Sequence, residues 1–128
     1  MKEGVVARKF LRAFAEWDLD TYGSLLAPGA VEGRPQMGER FVGRLAIMGM
    51  YRSRRGEPPR IEWRRVQGEG QTWIGQGVIE DAAGDHGPDH IVALLKLDAG
   101  SVVAVDYYFA SALEPPEYHQ RWGEIVGH

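Results

Sequence analysis

The hydrophobic period of this chain changes once, and the change comes late. Before Pro58 most apolar residues keep helical spacing; after Pro59 they gather in short β-type runs. Val6, Phe10, Phe14 and Trp17 recur at three- and four-residue steps with Lys9, Arg12 and Glu16 between them, which predicts a helix with one buried stripe. Asp18-Leu19-Asp20-Thr21 then supplies cap-type residues ahead of Tyr22, Leu25 and Leu26, so a second, short helix is expected to run to Ala27 and to stop around Pro28-Gly29. Ala30 to Pro35 reads as a short strand. Leu45, Ile47, Met48 and Tyr51 read as a third helix after Gly38, although Gly49 inside it weakens the helical pattern.

In the second half, Ile61, Trp63 and Val66, and then Trp73, Ile74, Val78 and Ile79, predict antiparallel strands separated by Gly68, Gly70 and the loop from Gly84 to Pro88. His90 to Leu97 and Ser101 to Ala110, joined by Asp98-Ala99-Gly100, predict a hairpin. Pro115-Pro116 breaks that last strand, and Glu117 to Val126 reads as one or two exposed helical turns anchored by Trp122. Helices first and strands afterwards imply an α+β layout, with the helices covering one face of a bent antiparallel sheet. Such a sheet curls into a cone, and the space beneath the helices is a natural apolar pocket.

A chain of 128 residues is one domain's worth, so 1–128 is expected to be a single unit. The net charge of −3 supplies no overall positive field, so nucleic acid and anionic lipid are not expected partners. With no cysteine there is no disulfide and no thiolate zinc site or nucleophile. The N-terminal residues lack a signal peptide's apolar block and no apolar run approaches a membrane span, so a soluble protein with a cytoplasmic address is expected.

The run Phe10-Leu11-Arg12-Ala13-Phe14-Ala15-Glu16-Trp17-Asp18-Leu19-Asp20, followed by Leu25-Leu26-Ala27, Gly38 to Arg44 and Ile47 to Tyr51, resembles the nuclear transport factor 2-like superfamily in its SnoaL-like branch. The segment Leu97 to Val102 ending in Tyr108-Phe109 is similar to that group's last two strands. The resemblance implies a cone-shaped fold, N-terminal helices packed on a strongly curved antiparallel sheet. It also implies a homodimer formed through the sheet and a deep pocket that different members use for polyketide cyclisation, ketosteroid isomerisation, epoxide hydrolysis or plain binding. It implies no metal and no cofactor. The isomerases' first-helix tyrosine falls on Phe10, their catalytic base near Arg34 and their partner acid on Ala93, so a steroid isomerase is not expected. The cyclases' and hydrolases' last-strand aspartate falls on Tyr107, with the carboxylate one residue earlier at Asp106. The hydrolases' arginine–aspartate pair finds only Gly75 to Ile79.

The expected function is therefore binding of a small hydrophobic molecule, with proton transfer on a carbonyl compound as its enzymatic form and a non-catalytic binding or dimerisation module as the alternative. Strand alternation puts Val103, Val105, Tyr107 and Phe109 on one face and Val102, Ala104, Asp106 and Tyr108 on the other. The family register turns Tyr107 inward; a bulge of one residue would turn Asp106 inward instead, where it would suit a general acid or base. Asp106 and Tyr107 are accordingly the catalytic candidates, and Phe10, Phe14, Tyr51, Trp63, Trp73 and Tyr107 the ligand-binding ones, although each ring also serves the core. Glu32, on the first strand, could reach the pocket mouth but reads more simply as a solvated strand-edge glutamate. Asp85-His86-Gly87-Pro88-Asp89-His90 concentrates four potential metal ligands in six residues, yet Gly87-Pro88 marks a turn that splays them. The arginines between Arg52 and Arg65 are expected to pair with acids on neighbouring strands.

Overall fold

The computed structural model describes residues 2–84 and 87–127. Helix α1 (Lys2–Glu16) buries Ala7, Phe10, Leu11 and Phe14 against the sheet; of the predicted stripe, Phe10 and Phe14 are buried and Val6 and Trp17 partly so. Helix α2 (Leu19–Leu25) is capped by Asp18, whose carboxylate accepts from the Thr21 amide at 3.2 Å and its hydroxyl at 2.7 Å. Those two bonds lower the Asp18 pKa from its ordinary value. The chain then enters β1 (Leu26–Arg34) directly, so α2 stops before Ala27 and Pro28-Gly29 lies inside a strand. Pro28 and Gly29 are exposed, and the pairing of β1 with β6 shifts register between Leu26 and Val31, which is how a proline is accommodated there. A tight turn at Pro35–Met37 leads to β2 (Glu39–Val42), a strand the sequence reading missed, and then to α3 (Arg44–Arg52).

The remaining strands are β3 (Arg60–Glu69), β4 (Thr72–Glu80), β5 (Asp89–Asp98) and β6 (Ser101–Ala110). All six form one sheet in the order β2-β1-β6-β5-β4-β3, antiparallel except for the parallel pair β1 and β6. The three helices pack on one face of this curled sheet, giving the α+β cone expected from the order of elements. Two devices seat α1. Trp63 donates its indole N–H to the Leu11 carbonyl at 2.7 Å, and Gly75 leaves room where a Cβ would meet Leu11 Cδ1 at 2.7 Å and the Trp63 ring at 3.1 Å. After β6 the chain makes only a short turn at Glu117–His119; Trp122, expected as an anchor, is 81% exposed. No helix among the described residues is long and apolar enough to cross a membrane.

The β5–β6 hairpin turns on two residues, Ala99 at φ 51° and Gly100 at φ 81°. Both must be left-handed in such a turn, and only Gly100 is suited to it. Ala99→Asn is expected to raise the unfolding free energy by about 0.5–1 kcal/mol, because asparagine tolerates that backbone better than alanine. Urea unfolding of the two proteins side by side measures the gain.

The same hairpin contains the bulge that decides which way β6 faces. Lys96 pairs with Ala104 and Leu97 with Val102, so Val103 is the extra residue. Val102 is thereby rotated into the core with Val105 and Tyr107, and the simple alternation holds only from Ala104 onward. The bulge lies before Asp106 and leaves it on the outer face.

Candidate functional site

Strand β1 sits between β2 and β6, so its inward residues are enclosed from both sides. Ala30, Glu32 and Arg34 share that inward face. Glu32 is fully buried. Its Oε1 accepts from the Tyr22 hydroxyl at 2.7 Å, and its Oε2 accepts from the Tyr51 hydroxyl and from Arg34 Nη2 at 3.2 Å. Tyr22 is bonded in turn to Tyr107, O to O at 2.8 Å, and Arg34 Nη2 also donates to the Tyr51 oxygen at 2.9 Å. Four elements thus meet at one carboxylate: α2 through Tyr22, α3 through Tyr51, β6 through Tyr107 and Tyr22, and β1 itself.

Burial is the main force acting on this carboxylate, and it raises the pKa of Glu32 above the usual glutamate range; the bonds from Tyr51 and Tyr22 and the Arg34 charge oppose the rise. Burial likewise pushes the hydroxyls of Tyr22, Tyr51 and Tyr107 well above the usual phenol value, so none of them ionises near neutrality. Arg34 stays charged: desolvation disfavours its cation, but the adjacent Tyr51 and Glu32 raise its pKa overall. Its guanidinium carbon lies 5.8 Å from the centres of the Tyr51 and Tyr107 rings and 5.5 Å from that of Phe109. Its buried Nε has no hydrogen-bond partner among the described residues.

Arg34 and Tyr51 form part of the wall of a cavity of about 370 Å³. Phe14, Trp17 and Phe109 supply further aromatic surface, and Met37, Met50, Pro59 and Ile79 the aliphatic remainder. Arg54 and the acids Glu80, Asp81 and Asp89 lie at the same cavity, Glu80 paired with Arg60 at 2.9 Å. Trp17 reaches it at a cost. It follows α1 in a left-handed conformation (φ 56°), while the Asp18 amide bonds the Ala13 carbonyl and the Trp17 amide that of Phe14. Glycine is the usual residue at this point of a helix end, and a β-carbon there is strained. The indole is held by Phe14 and Tyr51, ring centres 5.9 and 5.6 Å away, and by the Arg54 guanidinium over its face.

The profile of the SnoaL-like domain family matches residues 7–105. The chain belongs to the SnoaL-like domain family. Among solved structures, it is similar to a nuclear transport factor 2-like protein of unknown function from Burkholderia xenovorans, at 28% identity and a TM-score of 0.85 over 98% of this chain and 96% of the other. A candidate ketosteroid isomerase from Kribbella flavida matches at 22% identity and a TM-score of 0.87, over 99% of this chain and 91% of the other. A cystatin-fold protein from Novosphingobium aromaticivorans matches at 18% and 0.71, over 84% and 97%. The last two, at such identities, speak to the fold alone. No curated protein matches the chain.

Against this SnoaL-like frame the candidate residues separate. Phe14 and Tyr51 line the cavity. Phe10 and Tyr107 do not: Phe10 is stacked on Tyr22 with ring centres 4.2 Å apart, and Tyr107 is fully buried against Phe14. The two rings fill the deep end of the cone and push the open space toward its rim. Trp63 and Trp73 lie elsewhere, Trp63 under Leu11 and Trp73 against Gly4 and Arg8, its indole N–H bonded to the Gly70 carbonyl. Asp106 is on the outer face, so the inward orientation needed for an acid–base role is not the one found. Its Oδ1 crosses over Gly33, where a Cβ would stand only 2.2 Å away, and it borders a shallow groove with Pro35 and Arg40. Of the run weighed as a metal site, Asp85 and His86 lie outside the described residues, and Asp89 joins the cavity wall.

The residues that the sequence reading undervalued are Glu32, Arg34 and Tyr22. Glu32 looked like an edge residue because β2 was not foreseen; with β2 outside it, β1 is an interior strand. One signal was available. Glu32 and Arg34 are two apart, so any strand through them puts opposite charges on one face.

Proposed function

We propose that this SnoaL-like domain binds a small, mostly apolar molecule carrying a carbonyl oxygen, with the rings against Phe14, Trp17 and Phe109 and the oxygen at Arg34 and Tyr51. The observation that carries this reading is the Arg34 Nε, a buried donor with no partner among the described residues, on a side chain that walls an aromatic cavity. A buried N–H left unpaired costs about 1–3 kcal/mol, and a ligand oxygen that draws the guanidinium toward the cavity recovers part of that. Strain held at Trp17 supports the same place, since the backbone stays in an unfavourable region while the indole forms the wall. A cavity of about 370 Å³ is in the range used for small ligands and has room for two fused rings.

In its enzymatic form the reading moves the acid–base role from Asp106 to Glu32, acting through Tyr51. Glu32 is fully enclosed, however, and that favours a second reading, a receptor without chemistry. The test of binding is common to both. Naphthalene and 2-acetylnaphthalene are titrated while tryptophan fluorescence is followed. Quenching by both is expected, with the ketone bound about tenfold more tightly, and the quench is expected to vanish in Trp17→Phe. No quench by either compound, or equal affinities for the two, would overturn the proposal.

A further inference from the structure

Resting on the cavity reading above, we infer that Glu32 is a positioning residue that decides whether the Tyr51 hydroxyl can donate a hydrogen bond to a ligand's carbonyl: ionised, it holds that hydrogen; protonated, it releases it.

The network holds a countable set of hydrogens. Arginine donates and cannot accept, and each phenol has one hydrogen to give. Tyr22 gives its hydrogen to Glu32 Oε1 and Tyr51 gives its own to Oε2. Between Tyr22 and Tyr107 the hydrogen is therefore Tyr107's. Tyr51 also accepts from Arg34. With Glu32 ionised, all three phenolic hydrogens run toward the carboxylate, and Tyr51, which walls the cavity, has none to offer a ligand. Of Arg34 and Tyr51, only the arginine then has hydrogens to spare.

A proton on Glu32 adds one hydrogen to a closed set. If Glu32 donates it in a hydrogen bond to the Tyr22 oxygen, the hydrogen of Tyr22 turns to Tyr107. The hydrogen of Tyr107 must then turn away into the packed aromatic interior, where Tyr22 is its one hydrogen-bond partner among the described residues. If Glu32 donates it to the oxygen of Tyr51, a residue of the cavity wall, the displaced Tyr51 hydrogen is left for a ligand oxygen to accept. A buried donor without an acceptor is costly, so the second arrangement prevails once a carbonyl is bound. The groups facing Glu32 are Tyr22 from α2, Tyr51 from α3, Tyr107 from β6 by way of Tyr22, and Arg34 from β1; across the cavity stand Arg54, Glu80, Asp81 and Asp89. Burial favours the protonated carboxyl and so acts in the direction of this exchange. By linkage, a carbonyl ligand that prefers the protonated form draws a proton onto Glu32 when it binds.

The test compares the affinities of 2-acetylnaphthalene and naphthalene between about pH 8 and about pH 5. Their ratio cancels whatever pH does to apolar contact. In the wild-type protein the preference for the ketone is expected to grow about tenfold as pH falls, the value of one added hydrogen bond. Tyr51→Phe and Glu32→Gln are each expected to make the ratio independent of pH, the first by removing the hydrogen, the second by removing the titration. A flat ratio in the wild-type protein, or a slope that survives in either variant, overturns the inference. Failure of both compounds to bind at every pH overturns the cavity reading itself, and this inference with it. Binding with a flat ratio spares that reading.

Discussion

Glu32→Ala is expected to lower the unfolding free energy by about 3–5 kcal/mol, the cost of breaking a buried charge pair from one side. The carboxylate is the single acceptor shared by Tyr22, Tyr51 and Arg34, and removing it leaves two phenols and a guanidinium facing a void. The effect is larger than for an ordinary buried hydrogen bond because the three donors come from three elements. Without their common partner, α2 and α3 lose a polar tie to β1. Glu32→Gln keeps the volume and one acceptor oxygen and is expected to lose clearly less. Urea unfolding of the three proteins measures the differences, and an alanine variant as stable as the wild type would show that packing alone holds the interior.

Arg34→Met is expected to produce the second large effect, and one that depends on pH. The guanidinium is the positive charge that opposes the burial of Glu32, so its removal drives the Glu32 pKa further above the ordinary value of 4.5. The folded protein then holds a proton that the unfolded chain releases. Stability is fully present below the unfolded value and falls as pH rises toward the raised folded value. Relative to the wild-type protein, the variant should be about 3–5 kcal/mol less stable at neutral pH, most of the deficit disappearing as the medium approaches pH 4.5. Denaturant titrations across that range give the curve. A deficit constant with pH would mean that Arg34 acts by filling space over Tyr51, Tyr107 and Phe109 and not by its charge.

The fold was legible because its signals are local. The stripe Val6, Phe10, Phe14 and Trp17, the cap at Asp18 and the turn at Asp98-Ala99-Gly100 each depend on residues a few positions apart. The site was less legible because each of its parts depends on something distant. Glu32 is buried only because Glu39–Val42 adds a strand outside β1, and those four residues are too few to show a period of their own. Tyr22 carried no mark distinguishing a network tyrosine from a core ring; its role follows from Tyr107, eighty-five positions away.

The amino-acid sequence alone determined the kinds and order of the elements apart from β2, and with them the α+β cone and the SnoaL-like family. Helical and strand periods, caps and turn residues act over a few residues and survive in isolation. Tertiary structure decided the rest. A single extra residue at Val103, visible only when β6 is laid against β5, turned Val102 inward and left Asp106 outside. The packing of Phe10 on Tyr22 and of Tyr107 on Phe14 filled the deep end of the cone, so the open space is at the rim. Which acid is buried, and which phenol it commands, is set by contacts between segments far apart in the chain, because burial and hydrogen-bond partnership exist only after those segments meet.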